Sequence, residues 1–155
     1  MPAALALAPI PCVGGPSTAE RKAFLDAIRP EAERQAGQEV LFKVDRLNFD
    51  GKWAVLVGAI VGKAGRPLDW ERAVDCHPNL DKMLWVVAKR AAQSWRVHEM
   101  TICATEPPYW YLYDYVGFEW PCGVYAGLHV DGSGEDLRQR CLVDRRPRIR
   151  RPPDR

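Results

Sequence analysis

Two apolar runs joined by Asp50-Gly51 constrain the fold of this chain more than any other feature. In VLFKVDRLNF, Val40 to Phe49, the apolar residues fall at every second position: Val40, Phe42, Val44, then Leu47 and Phe49. A period of two belongs to a strand with one buried face. The slip of phase near Arg46 predicts a bulge. Asp50-Gly51 marks a two-residue hairpin, because both central positions of a type I′ turn need positive φ. The return run WAVLVGAIV, Trp53 to Val61, is apolar at both alternations, which predicts a central strand covered on both faces. The pattern recurs as MLWVVAKR, Met83 to Arg90, then AAQS, then WRVHEMTICA, Trp95 to Ala104. Each return strand opens on a tryptophan just after the turn, where a large ring packs across the hairpin and holds its register. These are the strands of a four-stranded antiparallel meander.

An apolar sheet face needs a cover. Upstream, Ser17 and Glu20 have capping-box spacing, and Phe24, Leu25 and Ile28 share one side of the helix that follows. Pro30 removes an N–H and disfavours helical geometry at Arg29, so a kink or restart is expected there, with Gly37 as the stop. The fold class is therefore α+β, a kinked N-terminal helix packed on the meander. Cystatin-like and nuclear-transport-factor-like folds share this architecture, an analogy that says little about function.

The 155 residues, 47% apolar, suit one domain that needs no metal to fold. We place it at residues 17–130, between an apolar leader or disordered segment at 1–16 and a disordered acidic loop with an Arg/Pro-rich tail at 131–155. Charge is segregated. Residues 138–155 hold eight Arg and two Asp, 8 − 2 = +6, and the chain totals +2, so residues 1–137 carry 2 − 6 = −4. An acidic body argues against a nucleic-acid-binding core. Arg alternating with Pro cannot form an amphipathic membrane helix, and the tail reads as solvated, or as a weak binder of nucleic acid or an anionic surface. MPAALALAPIPC resembles the apolar core of a secretory signal without its charged start, and is too short and Pro-rich to span a bilayer. The alternative is a disordered tail on a cytoplasmic protein. Beyond Cys12, Cys76, Cys103, Cys122 and Cys141 remain. Four cysteines in an exported protein allow two disulfides in three connectivities. Cys103 and Cys122 bracket an aromatic stretch and are a candidate pair, unless the four are small buried hydrophobes.

RKAFLDAIRP, VLFKVDRLNFDGKWAV and SWRVHEMTICATEPPYW together resemble a group of small exported bacterial proteins of uncharacterised function. That group has an N-terminal helix with an Arg-Pro pair, a strand pair with Gly-x-Trp-Ala, and a Trp-x-Val strand leading to Ala-Thr-Asp. The resemblance spans roughly residues 20–125. It implies a signal peptide and a periplasmic or secreted location rather than an activity. Glu106 stands where the group's Asp would be.

No phosphate loop, dinucleotide fingerprint or Gly-x-Ser-x-Gly elbow occurs, and no Cys-x-x-Cys or metal-spaced His pair. DGSGED fails the calcium-loop pattern. A Cys-His pair, Cys76 or Cys103 with His98, would have to assemble in space. No cofactor, metal site or catalytic residue is assigned. Glu99, on the Trp95 and Val97 side of an alternating strand, is the candidate buried acid; burial would raise its pKa. The bland alternative leaves it exposed or paired with an Arg. YWYLYDYVGFEWP, Tyr109 to Pro121, packs seven aromatics into thirteen positions. Tyr109, Tyr111, Tyr113 and Tyr115, with Trp120, are candidate binding residues, because tyrosine joins an apolar ring to a polar tip. Trp110 and Leu112 are then expected inward and the tyrosines outward. The leading expectation is a non-catalytic binder of another protein in the cell envelope, inhibitor-like or immunity-like, with no specific nucleic-acid partner, no transmembrane segment and no assigned oligomeric state. The alternative is a small enzyme or ligand carrier with its site in the helix–sheet cavity.

Overall fold

A computed structural model describes residues 16–111, 117–130 and 134–144. Helix α1 spans Thr18–Ala36. Strands β1 (Leu41–Asp50), β2 (Trp53–Val61), β3 (Met83–Ala91) and β4 (Ser94–Ala104) form one antiparallel sheet in the order β1-β2-β3-β4. The fold class is α+β, a helix on a four-stranded meander.

The capping box forms: Ser17 Oγ accepts from Glu20 N and Ser17 N donates to Glu20 Oε2. Gly37 closes the helix at φ 66°, where a Cβ would collide with the Arg72 carbonyl. The restart expected at Arg29-Pro30 does not occur, and α1 runs through Pro30. Pro30 is exposed, so the carbonyl it leaves unpaired one turn back faces the solvent side. Phe24, Ile28, Ala32 and Ala36, at intervals of four, form the fully buried stripe. Arg29 ties the helix to the sheet, donating to Val40 O at 2.7 Å and lying over the Phe42 ring.

The first sheet face meets this stripe with Leu56, Leu84, Val86 and Trp95, and Phe24 meets Phe49 and Trp95 edge-on. The expected bulge in β1 falls at Asp45, between the Val44–Gly58 and Arg46–Val57 pairs. It keeps Phe42, Val44, Leu47 and Phe49 on the helix side despite their broken spacing. The first turn differs from expectation by one residue. Asp50 pairs with Trp53, so the loop is Gly51-Lys52, with positive φ only at its first position. The second loop, Ala92-Gln93, repeats this with Ala92 at φ 55°. Trp53 is the first residue after its turn and Trp95 the second after its own, so the two rings take opposite faces.

The second face is also covered, as the doubly apolar β2 demands. Residues 118–130 and helix α2, Leu137–Val143, lie over Val55, Val57, Trp85 and Val87. Three residues of β1 hold this irregular cover. Asn48 Nδ2 donates to Val124 O and Ala126 O, and Asp50 Oδ2 accepts from Gly123 N at 2.9 Å. The Arg46 guanidinium packs against Gly127, where any Cβ would collide with it. Asp136 caps α2 and also accepts from Gly127 N. The folded unit thus reaches beyond 130. Leu137 and Cys141, which the sequence reading assigned to a disordered segment, are buried here.

The disulfides join Cys76 to Cys103 and Cys122 to Cys141. The expected Cys103–Cys122 bridge is replaced because the two residues serve different layers. Cys103 ends β4 against the 62–82 loop on the helix side, and Cys122 lies beneath α2 on the other face.

Candidate functional site

The residues singled out in the sequence separate into buried packing and one exposed rim. Glu99 is not on the Trp95 and Val97 side. A second bulge, at His98, lies between the Val87–Glu99 and Ala88–Val97 pairs and turns Glu99 onto the second face. There it is half-buried, and its Oε1 accepts from the indole Nε1 of fully buried Trp85 at 3.0 Å. The alternation slips from Trp95 and Val97 to Met100 and Ile102, the same signal that marks the β1 bulge; read alike, it would have placed Glu99 correctly.

Beyond Ala104 the chain folds back over the second face instead of extending the sheet. Pro108–Trp110 is a 3-10 turn, so the alternation of a strand is not realised there. Consecutive prolines at 107 and 108 explain this, since each lacks a ladder donor. Tyr109 lies half-buried on Trp85, ring centroids 5.6 Å apart. Burial raises its hydroxyl pKa, partly opposed by the Arg46 charge. Tyr111 is 44% exposed and donates from its hydroxyl to Glu106 Oε2 at 2.5 Å. Trp110 is half-buried, short of the inward placement expected. Leu112, Tyr113 and Tyr115 lie outside the described residues. Trp120 is no surface residue: it is 2% exposed, stacked on Tyr125 and packed near Trp53, Trp85 and His98.

The rim is therefore two contacts: Glu99 and Tyr109 seated on Trp85, and Tyr111 on Glu106. Each carboxylate is positioned by a neutral aromatic donor, and among the described residues neither lies within ion-pair distance of a Lys, Arg or His. Sequence reasoning missed Trp85 and Glu106 as partners, because the contact joining each pair depends on a bulge or a 3-10 turn. The Cys76–Cys103 bridge braces the strand end from which the rim grows. The same bridge takes Cys76 and Cys103 out of any Cys-His nucleophile pair. Among the described residues no three His, Cys, Asp or Glu side chains gather as metal ligands would, and no helix is long and apolar enough to cross a membrane.

Both outer strands, β1 and β4, are interrupted by a bulge, and such breaks discourage strand addition along an edge. Comparison with protein-family models, with curated proteins and with solved structures returned no match.

Proposed function

We infer that this chain is an exported, non-catalytic binding protein that recognises another protein through the Glu99, Glu106, Tyr109 and Tyr111 rim. The observation that carries the reading is the exposed Tyr111 hydroxyl fixed on Glu106, beside Tyr109 seated on Trp85. Ordered tyrosines present apolar area and a polar tip at small entropic cost, as protein interfaces require. The sheet supports this role in that its buried side chains on both faces are occupied in packing, while Tyr111 stands exposed at the edge of the second layer. An enzyme or carrier with its site between helix and sheet would want Glu99 beneath α1, and Glu99 stands on the opposite face.

Two disulfides in a chain of this size support an oxidising compartment, periplasmic or extracellular, in line with the exported proteins it resembles. We propose a role as inhibitor or immunity protein in the cell envelope, which suits a small binder braced by two disulfides. The test is capture with the purified, oxidised chain as bait, tried first against the product of the adjacent gene. Tyr109→Ala/Tyr111→Ala should weaken a specific complex about thirtyfold or more, as loss of interface anchors does. Equal capture of every partner by wild type and variant would sink the assignment.

A further inference from the structure

The two disulfides differ in what surrounds them. Cys122 and Cys141 are 6% and 4% exposed, beneath helix α2. Cys76 and Cys103 are only half-buried, and residues 74–75 and 77–81 on either side of Cys76 are exposed. The loop that carries Cys76 has few other ties. Val74 N donates to Gln35 O of α1, and Met83 begins β3, so both ends are held. Between them the hydrogen bonds stay inside the segment: Leu80 N to His77 O, Asn79 N to His77 Nδ1, and Lys82 Nζ to Pro78 O and Leu80 O. Lys82 also lies over the Trp70 ring of the same loop. Cys103 Sγ, which carries no proton in the bridge, is 3.9 Å from Asp75 O. The Cys76–Cys103 bridge is thus what joins the middle of this loop to the sheet. Asp75, beside it, holds φ 55°, a left-handed conformation uncommon for residues other than glycine.

We propose that the Cys76–Cys103 bridge is a thiol–disulfide exchange site, opened by a dithiol reductant to release residues 75–82 while the Cys122–Cys141 bridge and the sheet stay intact. Exchange begins with attack by a thiolate on a disulfide sulfur, so it follows access to that sulfur. One thiolate of the dithiol attacks one Sγ. The Sγ–Sγ bond breaks, and the other cysteine leaves as a thiolate that takes a proton from water. The second thiol of the reductant, as its thiolate, then attacks the mixed disulfide and releases the first cysteine. Two electrons pass to the bridge, and the reductant closes into a disulfide of its own. The bridge beneath α2 is reached only when the second cover lifts. Opening the Cys76–Cys103 bridge breaks no hydrogen bond of the helix or the sheet, so the segment is free to move between fixed ends. In an oxidising compartment the reactant of this class is a dithiol oxidoreductase. This exchange site is independent of the tyrosine contacts and of the partner they would bind.

The test treats the full, oxidised chain with graded dithiothreitol under native conditions, alkylates the freed thiols with N-ethylmaleimide and locates them by peptide mapping. Cys76 and Cys103 should be alkylated about tenfold faster or more than Cys122 and Cys141, as their greater access requires. With only the first bridge open, amide exchange over 75–82 should rise about tenfold, and α1 and the four strands should keep their rates. Cys76→Ser/Cys103→Ser should show the same exchange pattern with no reductant present. Equal alkylation of all four cysteines, earlier alkylation of Cys122 and Cys141, or unchanged exchange over 75–82 with the first bridge open would overturn the proposal.

Discussion

The two faces of the sheet are buried by opposite means. On the first face a single regular helix lays a four-residue stripe across the strands, with no covalent tie between helix and sheet. On the second face an irregular segment is held by the β1 side chains Asn48 and Asp50 and by a disulfide beneath a helix of only seven residues. A long helix satisfies its own backbone, so apolar contact suffices to hold it. An irregular segment must find backbone partners elsewhere, and here the outer strand supplies them. The second face is consequently richer in aromatic rings and polar anchors, and its borders bear the exposed tyrosine rim.

The sharpest way to break this comparison is to remove one large ring from each face. Phe24→Ala deletes a fully buried ring that meets Phe49 and Trp95, and Trp120→Ala deletes the hub of the second face. Each should cost about 3–5 kcal/mol in denaturant unfolding. The spectra should separate them. Trp120→Ala should lose near-ultraviolet dichroism while keeping the far-ultraviolet helix signal; loss of both together would mean the second layer is not separable from the first.

Removing the disulfides comes next. The chain separations of 27 and 19 residues predict similar stabilisation by loop closure, about 3 kcal/mol each. The consequences should differ in place. Cys122→Ser/Cys141→Ser should speed amide exchange in 118–143, and Cys76→Ser/Cys103→Ser in 62–82. Identical exchange patterns from the two variants would contradict the assignment of one bridge to each layer.

How far these layers were legible in the sequence follows from the same contrast. The start of the helix and all four strands were readable, because each writes its signal into its own residues: the capping box, Phe24 and Ile28 four apart, two-residue alternation; the passage of α1 through Pro30 was not. The β1 bulge was readable from the slip between Val44 and Leu47. The second cover was not, because Asn48, Asp50 and Gly123 carry no periodic mark and meet across more than seventy positions. The candidate site suffered for the same reason. Tyr109 and Tyr111 were singled out by aromatic content alone, and that content did not reveal a second sheet face against which Trp120 is buried. Cys141 was lost in a basic stretch that looked unable to pack.

Smaller effects should follow from the anchors of each cover. Asn48→Ala removes the donor to two carbonyls and should cost about 1–2 kcal/mol. Ser17→Ala removes the α1 cap and should cost about 1 kcal/mol. Thermal melts of the two variants would rank them. A cost at Asn48 below that at Ser17 would mean the second cover does not depend on β1 for its backbone partners.

The smallest expected difference is in pH dependence, and the two faces should fail at opposite ends of the scale. On α1, Glu31 is held at a pKa of about 2, against an ordinary 4.5, by hydrogen bonds from Arg34 and then Gln35. A carboxylate depressed on folding stabilises fully above its unfolded value, and that contribution is lost as pH falls from about 4.5 toward 2. On the second face, burial raises the Tyr109 hydroxyl above its ordinary 10. Its protonated form is favoured in the fold, so this contribution is complete below pH 10 and is lost as pH rises through the raised value. The Glu31 pair lies at the surface, so its share is a few tenths of a kcal/mol after solvent screening. Glu31→Gln should flatten the acid limb of the stability profile and leave the alkaline limb alone, and Tyr109→Phe should do the reverse. An alkaline limb unchanged in Tyr109→Phe would place that titration elsewhere and remove Tyr109 as the polar tip of a half-buried ring.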